Sequence, residues 1–282
     1  MFYELAFRTR KAGFQLICLP SLYLYKNTTS LSPLDVKSHI GTPFIHLTEI
    51  DSTNRYARNQ IDANLTTSGT AYFADHQTEG KGRQERSWVS EPGKNILLSI
   101  VLNTNGRKNE EAAALNRLVA LACFDLFNDF SGGGTLIKWP NDLYWGDRKA
   151  GGILIENIWR GSQWTWSIIG IGLNINQTGF PEEAARATSL QQITGKSYDV
   201  LLLAQELCQR LEKRLQQWTS AEEMSTLSEY NNHLYKKFGP VNLLADGKKI
   251  AGTSLEVTAA GELQVHNAAG EVITLRQAQW ID

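Results

Sequence analysis

The chain has 282 residues, 42% of them hydrophobic and 20% charged, and a formal net charge of −1. That length accommodates one large domain and a small one, and the composition is that of an ordinary globular protein, which excludes a disordered or fibrous chain. The near-neutral balance lacks the signature of a basic nucleic-acid-binding face, and no run of 18 apolar residues marks a membrane span.

Residues 1–43 are the least legible segment. Tyr3–Tyr25 is apolar and aromatic, and polar Lys26–Ser38 follows. No pair of capped amphipathic helices with a short turn is readable there, so a helix-turn-helix and DNA binding are not expected. Phe14–Tyr25 follows basic residues, as a signal sequence does, but it contains Pro20 and no small-residue cleavage pattern. Cys18, Cys123 and Cys208 are far apart and form no CxxC, and the five histidines are scattered. Neither a disulfide framework nor a zinc site is expected, Cys123 and Cys208 read as buried thiols, and the expected location is cytoplasmic.

The main domain is expected to begin near Phe44. Ser52 or Thr53 caps a helix over Asn54–Ile61, and Ala71–Asp75 is a strand. Gln77–Glu91 reads as a long polar loop, and Asn95–Leu102 as a buried strand. Apolar positions at 115, 118, 119, 122 and 126 predict a helix over Asn109–Phe130, stopped by the glycines of Ser131–Gly134. Thr135–Trp139 is a strand leading into a Pro140-Asn141-Asp142 turn. Ile153–Trp159 and Trp164–Leu173 flank a hairpin turn, and a second amphipathic helix covers Asp199–Trp218. After Gly239, turns at Asp246-Gly247, Ala260-Gly261 and Ala269-Gly270 divide short apolar runs, as in a small all-β unit. The boundary falls between 237 and 238.

Four segments carry chemistry. Gly80–Trp88, GKGRQERSW, places two glycines and three cations (Lys81, Arg83, Arg86) within seven residues. Gly80 and Gly82 permit close backbone approach to a ligand, and the cations suit phosphate or carboxylate oxygens; a plain surface turn is the alternative. Lys138–Asp142, KWPND, puts a cation, an amide and a carboxylate at a strand end, where ligands bind in α/β sheets. There Asp142 is a candidate Mg²⁺ ligand, and an ordinary Asn-Asp turn is the alternative. In Lys149–Glu156, KAGGILIE, glycines including Gly152 leave room for Lys149 to reach an anion, unless it is a solvated hairpin lysine. In GIGLNIN, Asn174 and Asn176 share a strand face, as a ligand surface or as satisfied buried amides.

In this order and spacing, from about Ile50 to Leu190, these segments resemble the biotin–protein ligase family. IDSTN, ADHQTEGKGRQERSW, KWPNDLYW, RKAGGILIE and TSL (Thr188–Leu190) each look like one of its motifs. The resemblance implies an α+β fold: a mixed-sheet catalytic core with flanking helices, of the class II synthetase-like biotin/lipoate ligase type, at 44–237. It also implies a small SH3-like barrel at 238–282, with 1–43 as an extension of unassigned role. It implies a biotin pocket from Ser52, Thr53, Asn54, Gln77, Gly80, Lys81, Gly82, Arg83, Trp88, Lys149 and Gly152. An ATP region follows from Arg83, Arg86, Lys138, Trp139, Asn141, Asp142 and Asn174, and catalytic roles for Arg83, Lys149 and Asp142.

ATP, Mg²⁺ and biotin are then the expected small molecules, and a biotin carboxyl carrier protein the expected partner of a monomer or homodimer. The chain departs from the family's usual GRGRxGR loop: Lys81 replaces an arginine, keeping the charge without the planar fork, and Glu85 replaces a glycine. Three rival readings are weaker. SGGG at 131–134 superficially resembles a lipoate-ligase motif, but no arginine pair precedes it and KWPND follows. A DNA-binding biotin sensor lacks a legible recognition helix, and a C-terminal RNA- or protein-binding module lacks aromatic residues for stacking.

Overall fold

The computed structural model describes residues 39–281. The expectations placed on 1–38, including the signal-like stretch, Cys18 and the helix-turn-helix question, lie outside the described residues. Among the described residues, twelve strands form two sheets. In the first, β1 (Phe44–Ile50) runs parallel to β2 (Ala71–Gln77), and α1 (Thr53–Asp62) makes the crossover between them. Then β3 (Asn95–Asn103) pairs antiparallel with β2. The long helix α2 (Ala112–Ser131) leads to β4 (Thr135–Lys138), β5 (Asp142–Trp145), β6 (Arg148–Arg160) and β7 (Gln163–Asn174), all antiparallel neighbours. Since β7 inserts beside β3, the sheet order is β1-β2-β3-β7-β6-β5-β4.

Period-two alternation along these strands builds two different faces. Phe73, Leu98, Ile100, Ile169, Ile171 and Leu173 join Leu118, Leu121 and Leu126 of α2 and Leu203, Leu207 and Leu211 of α4 (Val200–Gln216) in the main core. Their sequence neighbours Tyr72, Val101 and Ile168, with Ile158 of β6, point the other way and pack on Ala57 and Ile61 of α1. The short α1 covers only part of that second face. Beyond its N-terminus the sheet continues with small and polar residues, and there the functional side chains gather.

Helix ends follow local chemistry. Asp199 caps α4 through Leu202 N at 3.0 Å, and Gly132, in left-handed geometry (φ 75°), stops α2. Ser52 sits at the start of α1 without a capping side-chain bond. Residues 109–111 form a 3-10 turn before α2, because Glu111 bonds back to Lys108 N at 2.7 Å. Strand β5 was not expected because it is only four residues long and follows a turn signal, nor was the first part of β6, which is polar and glycine-rich. Helix α3 (Leu190–Thr194) is a single turn capped by Ser189, and α5 (Glu223–Asn232) buries only Thr226, Tyr230 and Asn231, too little for an apolar stripe.

The second sheet contains β8 (Pro240–Ala245), β9 (Lys248–Val257), β10 (Leu263–Asn267), β11 (Val272–Leu275) and β12 (Gln279–Trp280). It is antiparallel in the order β11-β10-β9-β8-β12, with left-handed turn residues at Asp246, Gly247, Gly261 and Gly270 as anticipated. Asn231 ties it to the first unit, donating to Val257 O (2.9 Å) and accepting from Val257 N (2.8 Å). Arg117 of α2, 2% exposed, donates to Ala259 O at 2.7 Å. Cys123 and Cys208 are buried free thiols, as expected. No helix among the described residues is long and apolar enough to cross a membrane.

Candidate functional site

The α1 N-terminus and the strand centres form one end of the site. Gln77 Oε1 accepts from Thr53 N (2.8 Å) and Thr53 Oγ1 (3.0 Å), so its Nε2 is left facing Gly80. Ser99 Oγ lies 2.7 Å from Thr53 Oγ1 and 2.6 Å from Asn54 Oδ1. Asn54 Nδ2 donates to Glu156 Oε2 at 2.6 Å. Ser52, Thr53, Asn54 and Ser99 are buried, so this network is a rigid polar floor rather than solvated surface. A side chain at Gly170 would collide with Asn54; the missing Cβ is what lets the amide lie on the sheet.

The middle of the site is aromatic. Gly152 and Gly172 face each other across β6 and β7, and the Trp88 indole lies on this flat pair. A Cβ at Gly172 would stand 2.7 Å from the ring, and one at Gly152 3.3 Å. The indole Nε1 is buried without a hydrogen-bond partner. Trp88 is delivered by the Gly80–Ser87 loop, a small hairpin closed by Gly82 N to Arg86 O (2.7 Å) and Trp88 N to Gly80 O (2.9 Å). Gln84 turns it in left-handed geometry at φ 54°. Together with Leu154 and Glu156, the loop lines a cleft of about 770 Å³, within the size range of small-molecule sites.

The other end is charged. Lys149 Nζ lies 2.7 Å from Asp142 Oδ1 and 5.9 Å from the Trp88 ring centre. Arg83 Nη1 donates to Asn141 Oδ1 at 3.4 Å. Burial pulls the Arg83 guanidinium below its ordinary range, and the Asp142 carboxylate works against that shift. Asn141 is itself fixed, donating to Ile153 O at 2.7 Å. Two cations 66 residues apart in sequence therefore meet at one Asn-Asp pair. A half-buried cationic corner results, with the Lys149 side chain 35% and the Asp142 side chain 23% exposed, where charge-assisted bonds are stronger than neutral ones.

The structure thus brings together Thr53, Asn54, Gln77, Gly80, Trp88, Gly152, Arg83, Asn141, Asp142 and Lys149. Lys81 and Arg86 stand exposed at the rim of the cleft, with Gly82 between them. Three expected ATP residues are engaged elsewhere. Asn174 Nδ2 holds backbone at Thr188 O (3.0 Å) and Lys149 O (3.4 Å), and so fixes the Lys149 strand. Buried Lys138 lies among the rings of Tyr144, Tyr235 and Trp280, and buried Trp139 donates to Gly261 O at 2.9 Å. Ser99, Glu156 and Gly172 were missed. Their signals were a lone hydroxyl inside NILLSIVLN, a carboxylate closing GGILIE, and the alternating glycines of GIG. Among the described residues no three His, Cys, Asp or Glu side chains group as a metal cage.

The family model of the biotin/lipoate A/B protein ligases matches residues 47–174. The chain is 31% identical over 239 residues to the bifunctional ligase/repressor BirA of Bacillus spizizenii, covering 83% of this chain and 67% of that one. It is 27% identical over 237 residues to the biotin–[acetyl-CoA-carboxylase] ligase of Mycobacterium tuberculosis, covering 80% and 86%. Among solved structures, the biotin protein ligase of Aquifex aeolicus in complex with biotin and ATP aligns with a TM-score of 0.71 at 26% identity, covering 84% of this chain and 97% of that one.

Proposed function

The chain belongs to the biotin/lipoate A/B protein ligase family, and from that premise we propose that it is a biotin–protein ligase. It activates biotin with ATP and transfers it to a lysine of a biotin carboxyl carrier domain, working in the cytoplasm. The observation that carries the reading is the meeting of Arg83 and Lys149 at Asn141 and Asp142, at the cationic end of a site whose other end is a network of hydroxyls and amides closed by the single carboxylate of Glu156. An acid with a polar, uncharged head fits that polarity. The head meets Thr53 and Gln77, the apolar middle lies beside Trp88, and the carboxylate faces the cations. Residues 44–237 form the catalytic unit, and 238–282 an SH3-like barrel docked on it.

In the first step a biotin carboxylate oxygen attacks the α-phosphorus of ATP, the bond to the bridging oxygen breaks, and pyrophosphate leaves. Two anions must approach, and Arg83 and Lys149 offset their repulsion with fixed charge. In the second, the neutral acceptor amine attacks the mixed anhydride carbonyl, the carbon–oxygen bond to AMP breaks, and an amide forms. Asp142, the carboxylate beside Lys149, is the candidate to receive the amine proton. Mg²⁺ enters with ATP as substrate. Asp142 is the residue that would contact it, and the ion would supply further positive charge at the phosphates.

The test is biotin-dependent exchange of labelled pyrophosphate into ATP, run in parallel with lipoate. Exchange with biotin alone is expected. Exchange with lipoate instead, or with neither acid, contradicts the proposal.

A further inference from the structure

The second sheet touches the KWPND segment at two consecutive residues, and one side chain makes both contacts. Trp280 Nε1 donates to Trp139 O at 2.8 Å, and its ring lies 4.7 Å from Lys138 Nζ. Trp139 is gripped from the same sheet a second time, its own Nε1 donating to Gly261 O at 2.9 Å. Two residues later the chain reaches Asn141 and Asp142, which meet Arg83 and Lys149. The Asn141–Asp142 turn is therefore fixed from one side by Ile153 of the catalytic sheet and from the other by the C-terminal strand.

We infer that Trp280 is a positioning residue for the nucleotide end of the active site. It holds the Trp139 carbonyl, and with it the turn that aims Asn141 and Asp142 at the phosphates. The inference rests on the ligase reading above. Trp280 contacts Trp139 and Lys138 and does not line the cleft. Its effect on ATP passes through backbone geometry, and the biotin head, bound at Thr53 and Gln77, lies outside its reach.

Two variants separate the contacts. Trp280→Phe keeps an aromatic face over Lys138 and removes the N–H; Trp280→Ala removes both. KM for ATP is read from pyrophosphate release, biotin affinity without ATP from calorimetry, and folding from the melting midpoint. Loss of one neutral hydrogen bond predicts about a five-fold rise in KM for ATP for Trp280→Phe, with biotin affinity within about two-fold of the parent chain. A larger rise is expected for Trp280→Ala. A Trp280→Phe protein that folds with unchanged KM for ATP, or loses biotin affinity in equal measure, overturns the inference. Inactivity of the unaltered chain with biotin and ATP would instead overturn the ligase reading itself.

Discussion

At the scale of single residues, two absent side chains matter as much as the cations. The Trp88 ring rests where Gly172 lacks a Cβ, and an alanine there would meet it at 2.7 Å. The backbone at Gly172 is ordinary extended strand, so alanine fits the main chain and only the indole must move. Gly172→Ala is expected to shift the melting midpoint little and to lower biotin affinity roughly ten-fold or more, because a small misplacement of a packed wall is costly. Calorimetry checks it, and unchanged affinity would remove the glycine platform from the site. Arg83 and Lys149 drew notice because each stands beside glycines, although a surface turn and a solvated hairpin lysine were equally good local readings and the order of the four motifs decided between them. Ser99 drew none, because a hydroxyl inside an apolar strand reads equally well as a satisfied core residue. The surroundings of Lys138 were hidden for a related reason. Sequence shows its charge but not the three rings that surround it.

At the scale of elements, the two strongest helices declared themselves by periodicity, and β6 and β7 by their hairpin. The first turns of β6 and all of β5 did not, because their register follows from pairing rather than pattern: Lys149 faces Tyr144, and Gly152 faces Asp142 across a bulge. The 80–88 loop behaves as an element of its own, closed by only a few hydrogen bonds and exposed at Lys81, Gln84 and Arg86. Limited trypsin cleavage within 80–88 is expected to fall when biotin and ATP are added together, as the loop closes over the adenylate and excludes water. Equal cleavage with and without the pair would count against that role.

The end of α5 supplies a pH dependence. His233 stacks on Phe124 of α2, with ring centres 3.9 Å apart, and burial lowers its pKa, with Glu229 and Asp125 opposing the shift. A folded-state value below the unfolded one stabilises the neutral form. That contribution is complete above the ordinary histidine range near 6.5 and is lost as pH falls through the folded value. Between pH 8 and pH 5 the parent chain is therefore expected to lose more stability than His233→Phe, which keeps the stack without a proton site. Urea denaturation at the two pH values measures the difference, and parallel losses would contradict the assignment.

At the scale of the whole molecule, one face of the first sheet is covered by α2 and α4 for stability, and the other is only partly covered by α1 and left for ligand. The second sheet docks on the first unit through Trp139, Trp280, Arg117 and Asn231. The two-part organisation could be read from the change in turn spacing after Gly239. The contacts between the parts could not, because they are backbone carbonyls meeting buried side chains, which leave no periodic trace. If Arg83 and Lys149 serve one activated acid, a double-mutant cycle on biotinyl-adenylate affinity reveals their coupling. Arg83→Ala, Lys149→Ala and the double variant are titrated by calorimetry. The account predicts a large loss for Arg83→Ala, about 2–4 kcal/mol. It also predicts a double variant that departs from the sum of the single losses by about 1 kcal/mol or more, as groups sharing one anion do. Losses that simply add, to within about 0.5 kcal/mol, would show two independent cations and contradict it.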